Sequence, residues 1–233
     1  MVRNKEIDCM IKLKTKGVMT KLNSKGLVSY KKKSTIAKLL AEEDVHVVYK
    51  QMDTAYFNPK SRELGLPIWD ESKTTPNIED LMVCHEIAHA LWTPLDMLEK
   101  AQIRKINHSF VNIVEDARIE RKVQEKYRGS ISVFKRGYRD LTALDFFGIG
   151  DKDVSKLNLI DRINLFFKKQ DVTFSDEESV VANHLRNCVA SFPDAVLMAC
   201  NISKVFLLAK ISPPTCLPTF SGSPYTSNIS SFI

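Results

Sequence analysis

The sequence has few of the features that mark secreted or membrane proteins. Its five cysteines are odd in number, scattered and without a Cys-x-x-Cys pair, so neither a disulfide framework nor a cysteine zinc site is indicated. No uninterrupted apolar run of about 18 residues exists, and the first residues lack the apolar core of a secretory signal. These absences predict a cytoplasmic protein that does not contact a membrane.

Charge is spread unevenly along the 233 residues, whose formal net charge is +6. The first 50 residues hold 12 Lys or Arg against 5 Asp or Glu, and such a segment either binds anions such as nucleic acid or forms a solvated face. Residues 211–233 contain no charged residue, and 13 of the 23 are Ser, Thr or Pro, a composition that does not easily build a core. We therefore predict three parts: a basic N-terminal segment (1–33), a folded domain (34–190) and an atypical uncharged tail (191–233), either disordered or truncated.

The stretch from Pro76 to Trp92 is the most informative part of the chain. Thr75 is a candidate N-cap, Pro76 suits the first helical turn, and Pro94 lies just past the expected end. The stretch therefore predicts a helix. Because this helix is apolar on nearly all sides, it is expected to be buried.

This helix carries a His-Glu-x-x-His motif at residues 85–89. His85 and His89 are four residues apart, which places both imidazoles on one helix face, within reach of a single metal ion. Glu86 is then positioned to take a proton from water that the metal activates. A structural or degenerate motif is the alternative, but buried histidines need polar partners, which a metal ion would supply.

Catalytic zinc usually has three protein ligands and one open position. Leu95 stands where a third histidine would mark a metzincin, so the third ligand should be a carboxylate on a following helix. Glu115, 26 residues beyond His89, is the predicted ligand, and Asp116 is predicted to orient a metal-bound histidine. The two roles could be exchanged, and a solvated ion-paired face with Arg118 is the alternative to both.

The remaining pattern predicts an α+β fold, with a small antiparallel or mixed sheet followed by a helical body. Predicted strands are Val45–Tyr49, Thr54–Phe57 and Leu64–Trp69, the last two forming a hairpin. Pro67 predicts that the last strand lies at a sheet edge, where it could pair with an extended substrate. Predicted helices besides the motif helix are Ser34–Glu43, Lys100–Tyr127, Leu157–Lys168 and Asp176–Val189.

Three segments, taken in order, carry a resemblance: residues 57–69, the motif at 85–91, and residues 112–120 with Asn-x-x-Glu-Asp-x-Arg. Together they resemble a peptidase-like protein of large contractile-tailed bacteriophages and related bacterial proteins that carry a von Willebrand factor A-like domain. The resemblance implies a zincin-like fold of the gluzincin type, with His85 and His89 binding zinc and Glu86 as the base. It would place the protein in the host cytoplasm. This chain has no recognisable von Willebrand domain, which agrees with a truncation near residue 190.

The expected function is zinc-dependent hydrolysis of peptide bonds in a protein or peptide substrate. Tyr138 or His108 is a candidate to stabilise an oxyanion beside the metal. One alternative is a metallopeptidase-like protein that binds partners without turnover, in phage assembly or host takeover. The other is a nucleic-acid-binding protein that uses the basic N-terminal segment.

Overall fold

The computed structural model describes residues 45–58, 60–69, 74–94 and 108–208. In these ranges the chain forms one three-stranded sheet and six α-helices, which confirms the α+β class. The basic N-terminal segment and the helix predicted at Ser34–Glu43 lie outside the described residues, as do residues 209–233.

The sheet is mixed, one of the two predicted alternatives. Its strands are β1 (His46–Lys50), β2 (Tyr56–Asn58) and β3 (Glu63–Pro67), in the order β1-β3-β2. Strands β2 and β3 pair antiparallel, which confirms the hairpin, and β1 pairs parallel with β3.

The prediction that the strand containing Pro67 lies at the edge is wrong, because β3 is the central strand. Successive backbone amides of a strand point to opposite sides. The amide of Ile68 donates to the carbonyl of Lys50 in β1 at 2.8 Å, so the nitrogen of Pro67 faces β2. The pairing of β2 with β3 ends at Gly65, so no ladder bond is lost at Pro67. The described sheet therefore does not offer β3 to a substrate.

Within the described ranges, six helices follow the sheet. The motif helix α1 spans Pro76–Trp92, as predicted, and the Thr75 side chain accepts a hydrogen bond from the Ile78 amide at 3.3 Å. The others are α2 (His108–Lys126), α3 (Ser130–Ala143), α4 (Leu159–Phe167), α5 (Asp176–Asn187) and α6 (Phe192–Leu208), with a short 3₁₀ turn at Val154–Lys156. None of the helices in the described ranges is long and apolar enough to cross a bilayer.

Helix α1 lies in the first of two apolar clusters, between the sheet and helices α2 and α3. Its residues from Leu81 to Ala88 are all buried. Gly137 of α3 allows a close approach, since a Cβ at that position would lie 2.5 Å from Cβ of Leu81. The motif is therefore held on a helix that is packed on several sides.

Helix α2 connects this cluster to a second one. Ile119 and Val123 of α2 pack in the first cluster, whereas Phe110 and Val114 pack in the second with α4, α5 and α6. The folded body does not end at residue 190, where the sequence predicted the boundary of an atypical tail. Four buried residues of α6 belong to the second cluster: Phe192, Ala195, Ala199 and Ile202.

Candidate metal centre

His85 is wholly buried, and its ring orientation is set by Glu120. Nδ1 of His85 lies 2.9 Å from Oε1 of Glu120. An ionised carboxylate only accepts hydrogen bonds, so in the neutral imidazole the proton resides on Nδ1. Nε2 of His85 then presents a lone pair, and this atom lies 3.6 Å from Oδ1 of Asp116.

His89 is held in the same tautomer by a hydroxyl group. Its Nδ1 lies 2.9 Å from Oγ1 of Thr93, and that hydroxyl donates its proton to Oε1 of Glu115 at 2.6 Å. Because this hydroxyl donates its only proton to Glu115, it must accept a hydrogen bond from Nδ1 of His89. Nε2 of His89 therefore also presents a lone pair, 3.4 Å from Oδ1 of Asp116.

Three side chains thus converge: His85, His89 and Asp116 each offer one ligand atom, and these atoms all lie within 4.8 Å of one another. Among the described residues, Nε2 of His89 and Oδ1 of Asp116 have no hydrogen-bond partner. Ligands about 2.0–2.1 Å from a tetrahedral zinc ion are about 3.3–3.4 Å apart, which the separations from Asp116 approach. The three side chains could hold a metal ion.

Lys168 forms ion pairs with the carboxylates of Glu120 and Asp116. Its buried ammonium group lies 2.7 Å from Oε1 of Glu120 and 3.3 Å from Oδ2 of Asp116. Burial alone would raise the pKa of Asp116, but Lys168 and the histidines outweigh it and hold the pKa well below its usual range. Asp116 is therefore ionised, with Oδ1 directed to the histidines and Oδ2 to Lys168.

The charges around the histidines do not cancel. Around the histidines, with every group ionised and both histidines neutral, the described residues include four buried carboxylates and two buried cations, an excess of two negative charges. A divalent cation would balance this excess, which otherwise carries a large desolvation cost. The carboxylates are Glu86, Glu115, Asp116 and Glu120, and the cations are Arg118 and Lys168.

Glu86 lies beside the cluster on the same helix and is 1% exposed. Its Oε1 is buried and has no hydrogen-bond partner in the described part of the chain. Burial raises the pKa of Glu86, and the neighbouring histidines only partly offset that rise. A carboxyl group with a raised pKa is suited to accept and return a proton near neutral pH.

Glu115, the predicted third ligand, is not part of this cluster. Arg118 donates to both of its oxygens, at 2.7 and 2.6 Å, and Thr93 donates to Oε1. Glu115 and Arg118 are 3% and 2% exposed, so their pair is not the solvated face considered as the alternative. The structure instead brings Asp116 to the histidines, which is the alternative that the sequence left open.

Three residues of the site were not identified from the sequence: Thr93, Glu120 and Lys168. Thr93 and Glu120 each lie four residues after a site residue, His89 and Asp116, so helical spacing could have indicated them. Lys168 is far away in the sequence and gave no signal.

Neither candidate for oxyanion stabilisation is supported by the described structure. The Tyr138 hydroxyl is buried and donates to Oε1 of Glu120, beneath the histidines. The side chain of His108 lies outside what the structure describes.

Comparison of the chain with protein-family models, with curated proteins and with solved structures finds no match. The resemblance to phage peptidase-like proteins therefore stays a prediction. The function is therefore inferred from the residues of the site.

Proposed function

We propose that the protein is a zinc-dependent peptidase in which His85, His89 and Asp116 hold the metal and Glu86 is the general base. The observation that carries the proposal is the convergence of three lone-pair atoms beside a buried glutamate in a His-Glu-x-x-His helix. The proposed ligand set has an aspartate in place of the glutamate that the gluzincin resemblance implies.

When bound, zinc would supply a Lewis acid that lowers the pKa of water to about 7 and polarises the scissile carbonyl. Glu86 would accept the proton of the attacking water and donate it to the leaving amine. Glu120 and Thr93 would keep the two imidazoles in the tautomer that presents Nε2. Lys168 would hold the second oxygen of Asp116, so that Oδ1 stays directed to the metal.

The order of elements also supports a zincin-like fold. A small sheet precedes the motif helix and packs on it, and the following helix α2 supplies the third ligand.

The test compares Glu86→Gln with the wild type on a mixture of synthetic peptides, read by mass spectrometry after zinc loading. We expect cleavage to fall by about 10²–10⁴-fold while one zinc ion per chain remains bound. Glu125→Gln is the matched control, since the Glu125 side chain is 67% exposed. Wild-type cleavage by Glu86→Gln would overturn the proposed base. A zinc-loaded wild type that cleaves none of the peptides would favour the binding protein without turnover.

A further inference from the structure

We infer that Thr93, Glu115 and Arg118 form a relay that fixes the ring of His89 for metal binding, so that Glu115 acts on the metal only through Thr93. These three residues are called the Thr93 relay below. The inference deepens the proposed function and depends on its metal site, but it does not depend on hydrolysis.

The direction of each hydrogen bond in the relay follows from its two ends. Arg118 donates through Nε and Nη2 to the two oxygens of Glu115, so both of these oxygens act as acceptors. Thr93 has one hydroxyl proton and gives it to Glu115. The remaining polar contact of that hydroxyl, with Nδ1 of His89, must then be an accepted hydrogen bond.

The backbone holds the relay in place. Thr93 is the first residue after α1, and its amide donates to the carbonyl of His89 at 3.0 Å. Nη2 of Arg118 donates to the carbonyl of Trp92 at 2.9 Å, which ties the end of α1 to α2. The main chain of Thr93 therefore binds the carbonyl of His89, and its side chain binds Nδ1 of the ring.

Metal binding requires the lone pair on Nε2 of His89. Without an acceptor at Nδ1, the neutral ring would lose its preference for the tautomer with a proton on Nδ1, and the other tautomer blocks Nε2. Removal of the Thr93 hydroxyl should therefore weaken the metal site although no ligand atom is removed.

The first experiment compares Thr93→Val, which keeps the shape and removes the hydroxyl, with Thr93→Ser, which keeps the hydroxyl. Zinc affinity is measured by competition with a chromophoric chelator, and stoichiometry by elemental analysis. We expect Thr93→Val to bind one zinc ion with about 10–100-fold lower affinity and Thr93→Ser to recover most of the loss. Thr142→Val, the same substitution on exposed Thr142 of α3, is the matched control. Unchanged affinity in Thr93→Val would overturn the relay.

A double-mutant cycle with Glu115→Gln separates a relay from an independent contribution. If Glu115 acts through Thr93, Glu115→Gln weakens zinc binding in the wild type and has little further effect in Thr93→Val. Equal losses in both backgrounds would contradict the relay. Complete loss of zinc stoichiometry in Glu115→Ala, with Thr93→Val still binding, would make Glu115 a direct ligand.

A metal-free readout distinguishes failure of the relay from failure of the proposed function. Nitrogen NMR of the His89 ring reports its tautomer at alkaline pH, where the imidazole is neutral. We expect the proton on Nδ1 in the wild type and a mixture of tautomers in Thr93→Val. A wild-type proton on Nε2 would overturn the relay whether or not the protein binds zinc. The expected tautomer in a protein that binds no zinc would leave the relay intact and reject the peptidase.

Discussion

Nε2 of His89 lies 3.4 Å from Oδ1 of Asp116, and the two buried atoms face each other without forming a hydrogen bond. The other polar atom of each side chain already has a partner. Nδ1 of His89 contacts the hydroxyl of Thr93, and Oδ2 of Asp116 contacts the ammonium group of Lys168. Two lone pairs so close together need a cation between them, either a proton or a metal ion. Nε2 of His85 lies 3.6 Å from the same oxygen, so one metal ion could contact all three atoms, whereas one shared proton would join only two of them.

Zinc should stabilise the folded protein, because the assembled ligands exist only in the native state. At a free zinc concentration 1,000 times the dissociation constant, the free energy of unfolding should rise by about 4 kcal/mol. The measurement is thermal unfolding with zinc and with a chelator, for the wild type and His89→Ala.

The control for that experiment is His184→Ala, which removes an exposed histidine of α5. The zinc effect should persist in His184→Ala and vanish in His89→Ala. Equal stabilisation of both variants would show that zinc binds elsewhere.

Glu120→Gln should lower both the free energy of unfolding and the affinity for the metal. It removes the buried charge that pairs with Lys168 and accepts from Nδ1 of His85. Loss of one partner of a buried ion pair costs about 3–5 kcal/mol, and loss of a group that orients a ligand costs about 10–100-fold in metal affinity. Chemical denaturation and zinc competition measure the two effects.

Glu125→Gln on the same helix should change stability by less than about 0.5 kcal/mol, because its pair with Arg121 is exposed. If Glu120→Gln also left stability and zinc affinity unchanged, Glu120 would not be the group that orients the ring of His85.

Substitution of two glycines by alanine should change stability differently, because Gly137 lies where α3 approaches α1 closely and Gly129 has open space around it. Gly137→Ala would bring its Cβ to 2.5 Å from Cβ of Leu81 and 3.0 Å from the carbonyl of Asn77, and should cost about 1–3 kcal/mol. Gly129→Ala has nothing within 4 Å of the new Cβ and a φ of −60°, and should be neutral or slightly stabilising. Equilibrium unfolding in urea compares the two variants. A neutral Gly137→Ala would mean that α1 is not held as closely as described.

The pair of Arg162 and Glu178 predicts a pH-dependent contribution to stability. The hydrogen bond from Arg162 lowers the pKa of Glu178 below its ordinary value of 4.5. A lowered pKa in the folded state stabilises the protein above the unfolded pKa, and the contribution is lost as pH falls through the folded pKa. The stability difference between wild type and Glu178→Gln should be constant from pH 7 to about 5 and shrink below pH 4.5. Urea unfolding across that range tests this, and a difference that does not depend on pH would contradict it.

Much of the motif helix could be predicted because its signals are local. Thr75, Pro76 and Pro94 fixed its ends to the residue, since capping and proline geometry depend on neighbours in the sequence. The hairpin of β2 and β3 was predicted for the same reason. The central position of β3 was not, because it depends on which strand β1 joins, a long-range pairing that short patterns do not encode.

The site was predicted in part, for a similar reason. His85, Glu86 and His89 follow from one motif, whereas the choice between Glu115 and Asp116 depends on the rotation of α2 about its axis. Adjacent helical residues point about 100° apart, so a rotation of about 100° exchanges them. The apolar residues of α2 face two clusters on different sides, and that packing sets the rotation.

Metal content tests the central claim most directly. Elemental analysis of the purified, zinc-loaded chain should find one zinc ion in the wild type and none in His85→Ala or Asp116→Ala, while Glu115→Gln keeps its zinc at saturation. Zinc lost from Glu115→Gln but kept in Asp116→Ala would restore Glu115 as the third ligand. A well-folded wild type without zinc would contradict the account.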